Sequence, residues 1–200
     1  REIYLLYDKN AIVDFAIFDS EPKQDLTKKL SIGRNKLQIF TVGRLAENKN
    51  LDKLIIAFNK LIRAGIDAHF DIVGTGPYYE VLRKLILDLA LDKKVTFHGF
   101  VSDAEVDKLF KSNAIFWCFD NADFNLSPML FACKGYKVIA TFPFQENSFT
   151  RRCETFHICE RSIDSLVSKT LKVHGDAVVP LNRNQLSYYS WKKLAERISI

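Results

Sequence analysis

What this 200-residue chain lacks narrows its class before any motif is read. It holds a single methionine, Met129, and begins at Arg1, so it is expected to be an excised or processed piece of a longer product. No apolar run approaches the roughly 20 residues that a membrane span requires, and no leader-like segment opens it. Its four cysteines, Cys118, Cys133, Cys153 and Cys159, form no C-x-x-C pair. Three of them lie in or beside apolar segments, where cysteine behaves as a small hydrophobe, and a reducing cytoplasm fits that usage. Cys153 and Cys159 flank His157, but a structural zinc wants a fourth ligand and a recognisable pair spacing, so no metal is expected. The last absence is local: no acidic residue occurs between Asp123 and Glu146.

With 48% hydrophobic and 26% charged residues, the chain is long enough to bury one good core and is neither disordered nor fibrous. Its net charge of +5 suits an anionic partner. The basic residues are dispersed rather than interleaved with exposed aromatics, which argues against nucleic acid.

Along the chain one unit recurs in kind. "LQIFTVG" (Leu37 to Gly43) is a short β-branched apolar run. It is followed by "NLDKLIIAFNKLIRAG", where Leu51, Leu54, Ile55, Phe58, Leu61 and Ile62 repeat at helical spacing between Asn50 as N-cap and Gly65 as stop. "HFDIVG" is a second strand, and Pro77 opens a helix with a stripe of Val81, Leu82, Leu85, Ile86 and Leu89. "KVTFHGF" comes next, then Ser102 and Glu105 as a capping box. "AIFWCF", "KVIAT" and "FHIC" continue the alternation. Short apolar strands separated by single helices require crossovers and a parallel sheet covered on both faces. The expected fold class is therefore α/β, a doubly wound, Rossmann-like parallel sheet of about six strands. Residues 1–36 are expected to be an interdomain segment and linker, and residues 37–200 the domain.

In such folds ligands sit where loops leave the carboxyl ends of the strands. "GRLAENKN" places Gly43, Arg44 and Lys49 just before a helix N-terminus, where two cations and free amides converge on one anion, a diphosphate by preference. "VGTGP" adds Gly74 and Gly76, a turn too short to be a dinucleotide fingerprint. "NADFNLSP" is the third such loop. His98 is read as a satisfied strand histidine, while His69 and His174 carry no signal. Trp117 and most of the 16 phenylalanines are assigned to the core.

Taken in order, "VGRLAENKNLDKLIIAF", "FDIVGTGPYYEVLRKL", "KVTFHGFVSDAEVDKLFKSNAIFW" and the closing "YYSWKKLAERI" resemble the group 1 glycosyltransferases, retaining enzymes of the two-domain GT-B fold. The resemblance covers about four-fifths of the chain and implies the C-terminal, donor-binding half, without the N-terminal acceptor domain. It implies that Arg44 and Lys49 neutralise the donor diphosphate and carry the chemistry. It also implies that the backbone around Phe100 meets the nucleobase, and that Asp123, Asn125, Leu126 and Ser127 lie along the turn that approaches the donor sugar. Trp191, Leu194, Ala195 and Ile198 would line a terminal helix that packs across the domain junction.

The acid-free stretch is where the chain departs from this pattern. The family has two glutamates separated by seven residues; alignment through Phe124, Leu126 and Gly135 puts Ala122 and Leu130 in their places, and Asn125 replaces a glycine. Losing a bidentate hydrogen bond to a ribose diol costs about 1–3 kcal/mol, or roughly tenfold to a few hundredfold in affinity. Two readings stay open. One is a divergent transferase that moves a sugar from a nucleotide-sugar (a UDP- or GDP-sugar, with no other cofactor) to a glycan or lipid-linked acceptor in cell-envelope polysaccharide or lipopolysaccharide synthesis. The other is an inactive paralogue serving as scaffold or partner of an active transferase. The expected partners are the nucleotide-sugar and the missing acceptor domain, with peripheral membrane contact through that domain and no nucleic acid. The expected location is cytoplasmic, at the inner face of the membrane.

Overall fold

The computed structural model describes residues 36–111, 113–120, 126–141 and 153–174. Within them, six strands alternate with five helices. They are β1 (Leu37–Val42), α1 (Leu51–Arg63), β2 (Ala68–Val73), α2 (Tyr79–Asp88), β3 (Val95–Gly99), α3 (Asp103–Leu109), β4 (Ile115–Cys118), α4 (Leu126–Cys133), β5 (Lys137–Thr141), β6 (Phe156–Cys159) and α5 (Ile163–His174). A 3-10 turn, Glu47–Lys49, precedes α1. The strands form one sheet in the order β3-β2-β1-β4-β5-β6, and every pairing is parallel. This is the doubly wound architecture that the strand and helix periods predict.

All strands but β3 send side chains to both of two cores. Leu37, Ile39, Phe70, Ile72, Ile115, Trp117 and Ile139 face the first, under α1, α2 and α5. Phe40, Val73, Phe116, Val138 and Phe156 face the second, under α3 and α4. Phe40 is the centre of that second core: the ring of Phe110 stacks on it at 4.0 Å, and Phe131, Phe116 and Tyr136 meet it edge-on at 5.1–5.3 Å. Burying such a ring contributes about 1.5–3 kcal/mol, so this side of the sheet is a firm platform for the loops above it. Trp117 is fully buried as expected, and its Nε1 donates to Thr170 Oγ1 at 3.0 Å. All four cysteines are buried free thiols, and burial pushes that of Cys159 up to about 11. Among the described residues no group of His, Cys, Asp or Glu is placed to hold a metal ion, and no helix is long and apolar enough to cross a membrane.

Local chemistry explains the ends of the elements. Ser102 donates its backbone N–H and its hydroxyl to the Glu105 carboxylate at 2.8 and 2.7 Å, so the capping box forms. The last turn of α1 closes as expected on Gly65, which sits at φ +81 with its N–H bonded to Ile62 O while Ile66 N–H reaches Leu61 O. The last turn of α2 makes the same two bonds, Ala90 N–H to Leu87 O and Leu91 N–H to Ile86 O, but with Ala90 at φ +54, where a Cβ is strained.

Three local expectations need correction. Asn50 precedes α1, but it is left-handed (φ 49) and its side chain donates to Asn48 O instead of accepting from the helix. The helix after Pro77 begins at Tyr79, and Val81 is 50% exposed, because the face buried by α2 is the narrower one of Leu82 and Ile86. His69 is not idle: its Nε2 lies 2.9 Å from Thr96 Oγ1, beside a buried Asp71 that holds His98 Nε2 at 2.8 Å and Gln38 Nε2 at 3.0 Å. Residues 1–35 and the segment carrying Trp191, Leu194, Ala195 and Ile198 lie outside the described residues.

Candidate anion-binding site

In this strand order β1 has β2 on one side and β4 on the other, so the chain leaves the sheet in opposite directions from two adjacent strand ends. A crevice at that switch point is where open α/β sheets take their ligands. Here it is a cleft of about 300 Å³, at the lower end of the range for small-molecule sites. Gly43, Arg44 and Lys49 line one wall; Phe119, Asp120 and Ser127 line the other. Both walls end in a helix N-terminus, that of α1 at Leu51 and that of α4 at Leu126. The peptide dipoles aligned at a helix N-terminus favour negative charge there.

The first wall is held by backbone packed on backbone. Gly43 N–H donates to Val73 O at 3.0 Å, Leu45 N–H to Thr75 O at 2.9 Å and Tyr78 N–H to Leu45 O at 3.0 Å. A Cβ on Gly74 would lie 1.9 Å from Gly43 O, and one on Gly76 would lie 2.2 Å from Leu45 O. The two glycines of "VGTGP" therefore let the second loop support the first. Arg44 is exposed, and among the described residues its guanidinium has no side-chain partner, which leaves its planar fork open to an anion.

Lys49 differs from Arg44. Its ammonium, expected to converge with Arg44 on an anion, also pairs with the Asp120 carboxylate, 71 residues away. The Asp120 side chain is 5% exposed and that of Lys49 29%. Burial of a carboxylate is costly without a partner, so the pair stabilises the second wall while removing one positive charge from the cleft. Asp120 carried no signal in the sequence, where it was one acid in a strand-end loop. Arg161 was missed as well; its guanidinium stands 5.8 Å from the centroid of Phe119, a residue of the second wall, without lining the cleft itself.

The cleft thus unites Gly43, Arg44, Lys49 and Ser127. Gly74 and Gly76 stand behind it, and Phe100, 84% exposed, lies beyond it after the end of β3. Asp123, Asn125 and Ala122 lie outside the described residues, as does the Leu126 side chain. Leu130 is half-buried in α4, belongs to neither core and does not line the cleft.

Residues 22–119 match the family model of the group 1 glycosyl transferases. Curated relatives align over a similar span. The chain is 32% identical over 99 residues, half of its length, to alpha-monoglucosyldiacylglycerol synthase of Acholeplasma laidlawii, and spans about a quarter (25%) of that protein. Among solved structures, the C-terminal domain of the group 1 glycosyl transferase family protein LpcC of Francisella tularensis superposes with a TM-score of 0.60 at 19% identity. That match covers 82% of this chain and 88% of the other. Anabaena HepE in complex with UDP and glucose gives a TM-score of 0.63 at 16% identity, over 96% of this chain and 55% of that one. At these identities the likeness shows fold: the chain shares the parallel α/β architecture of these glycosyltransferase domains.

Proposed function

We propose that the domain binds the nucleotide-sugar donor of a retaining glycosyltransferase, and that the whole protein moves the sugar to a glycan or lipid-linked acceptor in cell-envelope synthesis. The observation that carries this is the convergence of Arg44, Lys49 and two helix N-termini on one cleft at the switch point. When the bond between sugar and donor breaks, negative charge builds on the departing diphosphate. Fixed cations and amides that already face that position stabilise the charge without reorganising. Arg44 is assigned the bidentate contact and Lys49 the second. No metal or further cofactor enters this scheme. A relative whose name specifies a diacylglycerol glycolipid and a neighbour solved with UDP and glucose support the acceptor and donor classes. Catalysis needs an acceptor domain in the same protein, placed at the cytoplasmic face of the membrane.

A second reading, a non-catalytic partner of another transferase, is favoured by Ala122 and Leu130 at the positions of the two glutamates and by the carboxylate against Lys49. Titrating the intact protein with a panel of nucleoside diphosphates, then assaying donor hydrolysis and transfer, separates the two. Binding with turnover supports the transferase. Binding without turnover supports the partner role, and no binding at millimolar ligand removes the donor-site reading.

A further inference from the structure

We propose that Asp120 sets the charge selectivity of the cleft, competing with the bound anion for Lys49 so that the site prefers a less highly charged ligand than two unopposed cations would. The inference rests on the donor-site reading and deepens it by naming a residue that tunes it. Three observations carry it. Asp120 and Lys49 line the same cleft as Arg44. The Asp120 carboxylate is the more deeply buried member of the pair, so its charge is poorly screened by water. And the pair joins the two walls across 71 residues of sequence, so it is a feature of the assembled site.

An ammonium has three donors, so an anion can take a second N–H of Lys49 without breaking the pair. It then lies beside the Asp120 carboxylate, and repulsion between like charges at such distances is strong in a partly buried site. Of the side chains that line the cleft, Arg44 and Lys49 contribute two positive charges and Asp120 removes one. Each additional negative charge on the ligand therefore meets one repulsion that it would not meet without Asp120. Asp120 reaches the ligand chiefly through Lys49 and is a positioning residue.

The test is calorimetric titration of the intact protein, wild type and Asp120→Asn, with UDP, GDP, UMP and GMP at low and high salt. Asparagine keeps the shape and an acceptor oxygen; Asp120→Ser is the second variant if the amide disturbs folding, which circular dichroism checks. Removing the charge is expected to tighten nucleoside diphosphate binding about tenfold, to tighten monophosphate binding less, and to steepen the salt dependence. A purely structural role for Asp120 would not change the ratio between di- and monophosphate. Equal affinities in wild type and variant, an equal gain for both ligand classes, or weaker binding by the variant overturns the proposal and leaves the donor site standing. Absence of binding by wild type and both variants, all folded, overturns the donor-site reading and this inference with it.

Discussion

The two walls of the cleft are built by different means. The wall after β1 rests on backbone: glycine-permitted contact between the loops at Gly43 and Gly74, main-chain hydrogen bonds, and one cation, Arg44, left open. The wall after β4 rests on side chains: Asp120, whose carboxylate reaches across to Lys49 of the first wall, the Phe119 ring under Arg161, and an α4 whose eight residues carry no charge. A backbone-built wall keeps its shape while its side chains change, because the hydrogen-bonded atoms are common to all residues. A side-chain-built wall can change its electrostatics with single substitutions. The second wall carries a buried carboxylate, Asp120, of the latter kind.

The severest way to break this contrast is Gly74→Ala. With a Cβ directed at Gly43 O from 1.9 Å and a backbone at φ +133, the loop at Gly43 must move. The expected loss is about 2–4 kcal/mol of stability in urea denaturation, together with loss of nucleotide binding. Retained stability would show that the first wall is more plastic than its packing implies.

Arg44→Ala comes next. It removes the open guanidinium without touching either core, so stability should hold while nucleoside diphosphate affinity falls about tenfold to a hundredfold by calorimetry. Lys49→Arg, which keeps the charge beside Asp120, should change affinity less than Arg44→Ala does. The reverse order would place the chief anion contact at Lys49, beside the second wall's carboxylate.

Ala90→Gly lies away from both walls and serves as a control. Relieving the left-handed strain at the end of α2 should raise stability by about 1 kcal/mol, read from the thermal midpoint, and leave nucleotide affinity unchanged. A change in affinity would mean that global stability, and not the walls, governs binding.

The smallest effect is expected for Leu130→Glu. Because Leu130 is half-buried and belongs to neither core, the substitution should shift stability by no more than about 0.5 kcal/mol. A loss of several kcal/mol would show that the leucine is a packed helix residue after all.

Much of this molecule was legible in the sequence, because its signals are local. Alternating apolar runs and helical stripes located the six strands to within a residue or so at each end, and Ser102 with Glu105 announced the start of a helix. Val81 misled because an apolar residue at helical spacing says nothing about how wide a face the neighbouring elements cover. Asn50 misled because an asparagine before a helix suits the left-handed region as well as a side-chain cap. His69 gave no signal because its hydrogen-bond partner, Thr96, lies on a neighbouring strand that only strand pairing brings to it.

The sequence by itself determined the order and type of the elements, the parallel sheet they require and the basic loop with its helix, since each depends on spacings of a few residues along one segment. The charge that this loop presents was decided by the tertiary structure. Pairing of β1 with β4, Phe40 opposite Phe116, brings the loops that follow the two strands together and delivers Asp120 to Lys49. Electrostatic interaction depends on distance in space and on exclusion of water, and both are properties of the folded pair of walls rather than of either loop alone.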